Sequence, residues 1–211
     1  MPLAIRNDSA PETSSEQELR KDYSFLHYSL PTERIAQRPK DRRESSKLLV
    51  ARRSGTESDL RDTTFAALPD ILRPNDLLVL NNTKVLPWRF FAQQVGSDRE
   101  IELLILRRES AAGTNERWSA LARPMRKLKA GDTLELGKNT QVTVVGRSAD
   151  GNEIIIECHA GDPFPDGSMP IPPYIRGGRG DSLDLESYQT IYAEVEGSIA
   201  APTAGLHFTP E

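Results

Sequence analysis

The chain has 211 residues, with 27 Lys+Arg against 31 Asp+Glu, a formal charge of -4 and 37% hydrophobic residues. That balance suits a soluble globular protein of one or two domains and excludes a binder that coats nucleic acid with its whole surface, while leaving room for local basic faces. A single cysteine, Cys158, excludes an intrachain disulfide. No apolar run nears the roughly 20 residues of a membrane helix, and residues 1–21 lack the apolar stretch of a signal peptide, so a cytoplasmic location is expected.

Residues 1–21 are rich in Ser, Glu and Pro without periodicity and read as a disordered tail. Thr32 after Pro31 offers a helix N-cap, with Ile35 and Ala36 turned inward. Leu48–Ala51 reads as a strand and Ser54-Gly55-Thr56 as a turn. Asp62-Thr63-Thr64 suits the start of a helix carrying Phe65, Leu68 and Leu72 at helical spacing. After the turn Arg73–Asp76, the uninterrupted apolar run Leu77–Leu80 has the pattern of a strand buried on both faces. From Arg89 to His159 the pattern becomes β-rich. Short runs at Arg89–Val95, Ile101–Leu106, Trp118–Ala122, Thr133–Leu136, Gln141–Val145 and Ile154–Glu157 are separated by turn residues, with Asp150-Gly151 the strongest hairpin signal. Six closely spaced strands suggest a small closed barrel, which removes exposed edges. Pro163–Pro173 is a stiff connection, and Asp184–Tyr192 reads as a short helix presenting Leu185, Tyr188 and Tyr192. Thr209-Pro210-Glu211 has the chemistry of a helix start, so the chain is expected to be an N-terminal part of something longer.

The fold class is therefore α+β, a mixed α/β body with an inserted small β-barrel. The chain is expected to divide as 1–21 tail, 22–88 first part of the body, 89–160 inserted barrel and 161–211 return to the body, with the C-terminal part of the body expected to lie outside this sequence.

Most catalytic templates are absent. There is no phosphate-binding loop, nucleophile elbow or zinc-protease motif. His27, His159 and His207 are too scattered for a metal site, so no metal is expected. Cys158 and His159 are neighbours on a strand and point to opposite faces. Arg179-Gly180-Asp181 spells an adhesion tripeptide, a coincidence in a cytosolic chain. Two segments stand out. Asn81-Asn82-Thr83 follows an apolar strand, where α/β sheets place ligands, and its amides and hydroxyl suit a ribose or base edge; an Asx-turn closing the strand is the alternative. Ala200–Phe208 packs small residues around Pro202 and Thr203-Ala204-Gly205, allowing close approach of a ligand, with His207 supplying a near-neutral pKa; a packed turn with a core histidine is the alternative. Between them, Tyr174 offers a stacking face and Arg176 an anion partner at the end of Met169–Pro173. Eight basic residues against two acids between Arg34 and Arg53, and Arg123, Arg126, Lys127 and Lys129 on the barrel, are two local cationic clusters that suit phosphates or merely solvated loops.

The chain resembles the S-adenosylmethionine:tRNA ribosyltransferase-isomerase family of queuosine biosynthesis. The resemblance rests on Tyr23-Ser24-Phe25 with Leu30-Pro31 and Ile35-Ala36, on LLVLNNTKVLPWR (77–89), IELLIL (101–106), MPIPPYI (169–175), YQTIYA (188–193) and AAPTAGLHF (200–208), in the family's order. It implies transfer and isomerisation of the ribosyl group of S-adenosylmethionine onto 7-aminomethyl-7-deazaguanine at the wobble position of tRNA. Epoxyqueuosine-tRNA would form, with adenine and methionine released. S-adenosylmethionine is then a substrate rather than a true cofactor, tRNA is the partner, and a monomer is expected.

The sulfonium acidifies the adjacent C5′ proton and departing adenine wants a proton, so an acid/base group is needed. The resemblance locates the pocket without assigning the steps; His207 is the expected acid/base or adenine-side group, and Asn81, Asn82, Thr83, Arg89, Tyr174, Arg176, Tyr188, Thr203 and Gly205 are expected to bind substrate. Arg38, Arg42, Arg43, Arg123, Arg126 and Lys127 are the expected tRNA contacts. Family members continue for well over a hundred residues more. If 211 residues are the whole product, poor stability and no turnover are expected; if they are a piece of a longer protein, the ribosyl transfer belongs to that protein. The alternatives are a tRNA-binding piece without catalysis and one half of a split enzyme.

Overall fold

Apolar residues alternating with polar ones close six strands into a barrel. In the computed structural model, which describes residues 27–54, 57–112, 115–137, 140–159, 164 and 166–211, these are β4 (Arg89–Gln94), β5 (Glu100–Ala112), β6 (Asn115–Arg123), β7 (Thr133–Glu135), β8 (Gln141–Arg147) and β9 (Ile154–His159). The order is β4-β5-β6-β9-β8-β7, all antiparallel, and β7 returns to β4 through Gln93–Glu135 and Gln94–Leu134. Every second residue enters the lumen: Phe90 and Ala92; Ile101, Leu103 and Ile105; Val142 and Val144; Ile154, Ile156 and Cys158. Each large aliphatic side chain so buried contributes roughly 1.5–3 kcal/mol. Trp118 meets Phe164 at 5.1 Å and Trp88 at 5.3 Å between ring centroids, both edge-on, and these rings pack into the same core. Asp150 accepts bonds from Ser148 Oγ, Asn152 N and Asn152 Nδ2 and is held down to about 2 by them, while Gly151 takes φ +74° at the β8–β9 turn.

The outer half of β5 and β6 runs beyond the sequence expectation. Residues 107–117 carry no apolar alternation, but Arg108–Glu116, Arg107–Glu153 and Arg117–Glu157 ion pairs rung the strands together.

The described residues fall into two compact units, 1–36 and 37–211. In the first, the described part holds a 3-10 turn, Thr32–Arg34, with Pro31 rather than Thr32 at the N-cap and no side-chain cap. The tail 1–21, Tyr23–Phe25, the turn residues Gly55 and Thr56, and Pro163 lie outside the described residues.

The second unit also contains an antiparallel hairpin, β1 (Lys47–Ser54) with β2 (Glu57–Thr64), and a two-stranded parallel sheet, β3 (Thr83–Val85) with β10 (Val195–Ser198). Its helices are single turns, α1 (Leu68–Ile71) and α2 (Asp184–Ser187). The protein is thus mixed α/β with a closed barrel. Three expectations change. Asp62–Thr64 are the last residues of β2, paired with Lys47–Leu49, and Thr64 is the N-cap residue, without a side-chain cap bond, of a 3-10 turn over Phe65–Ala67 that leads into α1, so the expected helix is reduced to these two short turns. Leu77–Leu80 is not a buried strand: among the described residues no strand pairs with it, and Leu77 and Val79 are 88% and 82% exposed. The helix expected to reach Tyr192 stops at Ser187, where the Gln189 side chain leaves the helical path to bond Val85. Leu185 is exposed as a result.

Candidate functional site

A small core beside the barrel gathers the segments that carry the sequence motifs. Val85, Met169, Ile171, Tyr188 and Ala201 are buried together, with Ile175 and Leu206 packed against them. One residue or more comes from each of Thr83–Val85, Met169–Ile175, Tyr188–Ala193 and Ala200–Phe208.

Polar clamps fix these segments. Gln189 Nε2 donates to the Val85 carbonyl at 2.7 Å, and Val85 N–H donates to Gln189 Oε1 at 3.0 Å, so one side-chain amide completes the inner end of β3. Asn82 O accepts from the backbone N–H of Glu194 and Val195, and its amide donates to Glu194 at 3.4 Å. Asn81 Oδ1 accepts from Thr83 N–H at 2.9 Å, the Asx-turn that was the alternative for this segment. The side-chain oxygen of Asn81 and amide of Asn82 are therefore engaged in shaping the entry to β3.

The Ala200–Phe208 segment forms a 3-10 turn over Thr203–His207. Gly205 is buried, and a Cβ there would lie 2.3 Å from Tyr192 Oη and 2.8 Å from Thr190 Cγ2, so any larger residue forces those side chains to shift. Its close approach is to these side chains. Thr203 is exposed. His207 is half-buried, its ring 5.4 Å from that of Phe65. Burial first, and then the charge of Arg43, push its pKa below the ordinary imidazole value, so it is neutral at pH 7. Tyr188 is buried, and desolvation raises its phenol.

The strap Met169–Gly178 is tied at both ends. Arg89, buried at the start of β4, donates Nη1 to the carbonyls of Ile171 and Gly178 (3.0 Å for the latter) and sits 3.3 Å from Glu102. Arg179 lies over the Phe91 ring at 3.9 Å and pairs with Glu100. At the other end Arg176 makes a two-pronged pair with Asp184, itself 3% exposed, and bonds Asp181. Arg38 joins both aspartates, and Gln37 bonds the Tyr174 carbonyl and Arg176 N–H. Asp181 is pulled down to about 2, chiefly by Arg38. This leaves the Tyr174 ring 62% exposed.

The two basic clusters differ in the same way. In the first, Arg38 is paired, Arg42 pairs with Glu44, Lys40 bonds the Ser45 carbonyl, and Arg43 donates to three carbonyls. In the second, Arg123 at the end of β6 and Arg126, Lys127 and Lys129 on the loop after it are exposed and make no ion pair among the described residues. Arg147 holds that loop's backbone through the Met125 and Leu128 carbonyls. Gln37, Asp184 and Gln189 escaped the sequence reading, and Arg43, expected among the tRNA contacts, is engaged with backbone carbonyls instead. Their partners lie about 104–163 residues away or, for Asp184, depend on the folded strap, and no local pattern encodes such pairs.

Among the described residues no group of three His, Cys, Asp or Glu side chains is placed to hold a metal, and no helix is long and apolar enough to cross a membrane.

These features define a barrel-carrying α/β protein whose motif segments meet on one small core. Residues 23–211 match the family described as queuosine biosynthesis protein, and the chain belongs to that family. Among curated relatives, the S-adenosylmethionine:tRNA ribosyltransferase-isomerase of Deinococcus radiodurans is 40% identical over 214 residues, spanning 97% of this chain and 56% of that protein. The protein of the same name from Thermotoga maritima is 42% identical over 191 residues, spanning 89% and 53%. A crystal structure of S-adenosylmethionine tRNA ribosyltransferase from Thermotoga maritima is 31% identical over 87% of this chain and 50% of that one, with a TM-score of 0.28. The chain spans about half the length of the curated relatives it matches.

Proposed function

We propose that this chain supplies the barrel and motif core of an enzyme that moves the ribosyl group of S-adenosylmethionine onto 7-aminomethyl-7-deazaguanine at the tRNA wobble position. The ribose is isomerised in the transfer to give epoxyqueuosine-tRNA, and adenine and methionine are released. The observation that carries the reading is the convergence of four motif segments on the core of Val85, Met169, Ile171, Tyr188 and Ala201, in a chain matched to the family over residues 23–211.

In this reading His207, neutral at pH 7, accepts the C5′ proton as a general base, and the imidazolium so formed can pass that proton to departing adenine. The Tyr174 ring stacks on a base, and Asn82, Thr83 and Thr203 with the backbone at Gly205 border the ligand. Arg89, Arg176 and Tyr188 act by holding the strap and core in place. The tRNA phosphates are met by Arg123, Arg126 and Lys127, whose charges have no partner among the described residues, with Arg42 of the first cluster at the margin. Residues 89–160 act as an inserted domain within a body of 22–88 and 161–211, and the protein works in the cytoplasm as a monomer.

The test uses S-adenosylmethionine labelled with carbon-13 in the ribose and tRNA bearing 7-aminomethyl-7-deazaguanine. Transfer is assayed with this chain, and with this chain fused to the part of the Deinococcus relative outside the matched 56%. Ribose label in the tRNA supports the reading, and its absence from both overturns it. A second reading, tRNA binding without turnover, is favoured by the cationic loop being presented on a closed barrel; salt-sensitive binding with no transfer by either protein would select it.

A further inference from the structure

Arg43 sits where the two most motif-rich segments approach one another. Its guanidinium reaches α2 and the turn that follows, donating Nη2 to the Glu186 carbonyl at 2.8 Å and Nη1 to the Gln189 carbonyl at 2.7 Å. The same Nη1 also reaches the Leu206 carbonyl at 3.1 Å. The planar fork of arginine suits this bridging of several acceptors, which a lysine ammonium, a point charge on a flexible stem, does not reproduce. The Leu206 carbonyl belongs to the peptide unit that carries the His207 N–H. Because that unit is planar, fixing its oxygen fixes the plane from which the His207 side chain departs. Phe65 packs against the imidazole ring, and the turn Arg43–Ser45 packs on Thr203–His207.

We propose that Arg43 is a positioning residue for His207: its guanidinium locks the Leu206–His207 peptide unit to the turn after α2 and sets a permanent positive charge beside the imidazole. The role rests on the reading of His207 as the proton-transfer group. It also removes Arg43 from the surface available to tRNA, since its donors are already engaged with three carbonyls.

The charges around the ring are few. The Arg43–Ser45 turn carries Arg43 and Glu44, and Glu44 is paired with Arg42. The segment after β2 contributes Phe65, which does not titrate. α2 carries Asp184, paired with Arg176, and Glu186, whose backbone carbonyl accepts from Arg43; the segment after it carries Tyr188, which is buried, and Tyr192, whose ring meets Phe208 at 5.9 Å. The turn bearing His207 has no other titratable side chain. Burial and the Arg43 charge thus both favour the neutral imidazole.

The test is a histidine NMR titration of this chain. His207→Asn assigns the His207 resonance among the three histidines, and Arg43→Gln and Arg43→Lys are then compared with the parent. Loss of the charge in Arg43→Gln is expected to move the His207 midpoint upward. Arg43→Lys keeps a charge and returns it toward the parent value, while amide exchange at residues 205–208 quickens in both variants because neither reproduces the fork. An unchanged midpoint in Arg43→Gln, or parent-like amide exchange in Arg43→Lys, overturns the proposal. Should Arg43→Gln fail to fold, Arg43→Lys alone decides through the exchange readout. Ribosyl transfer that survives His207→Asn sinks the proton-transfer reading instead and leaves these titrations standing, so the two failures are distinguishable.

Discussion

The barrel and the small core beside it bury apolar residues by different means. The barrel closes on itself, so each of its six strands has two neighbours, and among the described residues sixteen form one buried cluster. The core that gathers the motif segments has, among the described residues, five buried residues over a two-stranded parallel sheet. Parallel strands are ordinarily covered on both faces. Here the run leading into β3, Leu77–Leu80, faces solvent among the described residues. The motif core is instead held by side chains acting on backbone: Gln189 on Val85, Arg89 on Ile171 and Gly178, Arg43 on Leu206. Chemistry rests on polar clamps, and bulk stability on the barrel.

That contrast is sharpest for matched truncations. Ile105→Ala in the barrel is expected to cost about 2–5 kcal/mol, the range for a large-to-small change in a core that cannot collapse. Ile171→Ala should cost distinctly less, since the cluster around it is small, five buried residues among those described, and has less packed structure to resist collapse. Urea unfolding of both variants checks this, and equal losses would break the comparison. Next in size is Gly205→Ala. The added methyl meets Tyr192 Oη, and overpacking of this kind costs about 1–3 kcal/mol. Its thermal midpoint should fall, and Tyr192→Phe, which removes the atom in the way, should recover part of the loss.

The pH dependence comes third. An unfolded imidazole titrates near about 6.5, and His207 in the folded chain lies lower because of burial and Arg43. Below about 6.5 the unfolded chain therefore binds a proton that the folded chain refuses. The stability present above that pH is lost as pH falls toward the folded value. His207→Asn should flatten that part of the profile, as followed by urea midpoints between pH 7.5 and 5. The smallest effect on stability, within about 0.5 kcal/mol, is expected for Arg126→Glu with Lys127→Glu on the exposed loop. The same change should weaken tRNA binding and lower its salt slope by roughly one per lost phosphate contact. Unaltered binding would remove that loop from the proposed interface.

The same contrast explains what the sequence could show. Barrel strands are specified locally: Ile101, Leu103 and Ile105 alternate inward on one strand, and Asp150-Gly151 dictates its turn, so all six were legible. The polar β2, Glu57–Thr64, has no apolar alternation and forms through its register with β1, which local patterning does not encode. Leu77–Leu80 misled in the opposite direction, since an apolar run states a preference for burial without naming a partner. In the site, the motif segments were legible and their polar holders were not. Arg38, Arg43 and Arg176 read as free cations because the partners that engage them, Asp181, the Leu206 carbonyl and Asp184, are set by the fold.

The most direct measurement is residue-resolved hydrogen exchange of this chain under native conditions. The account predicts that the slowest amides lie in β4, β5, β6 and β9, with β3, β10 and residues 203–208 opening earlier as a separate, less stable unit. Equal protection of the barrel and the β3–β10 sheet would contradict it, because the motif core would then share the barrel's stability rather than depend on its clamps.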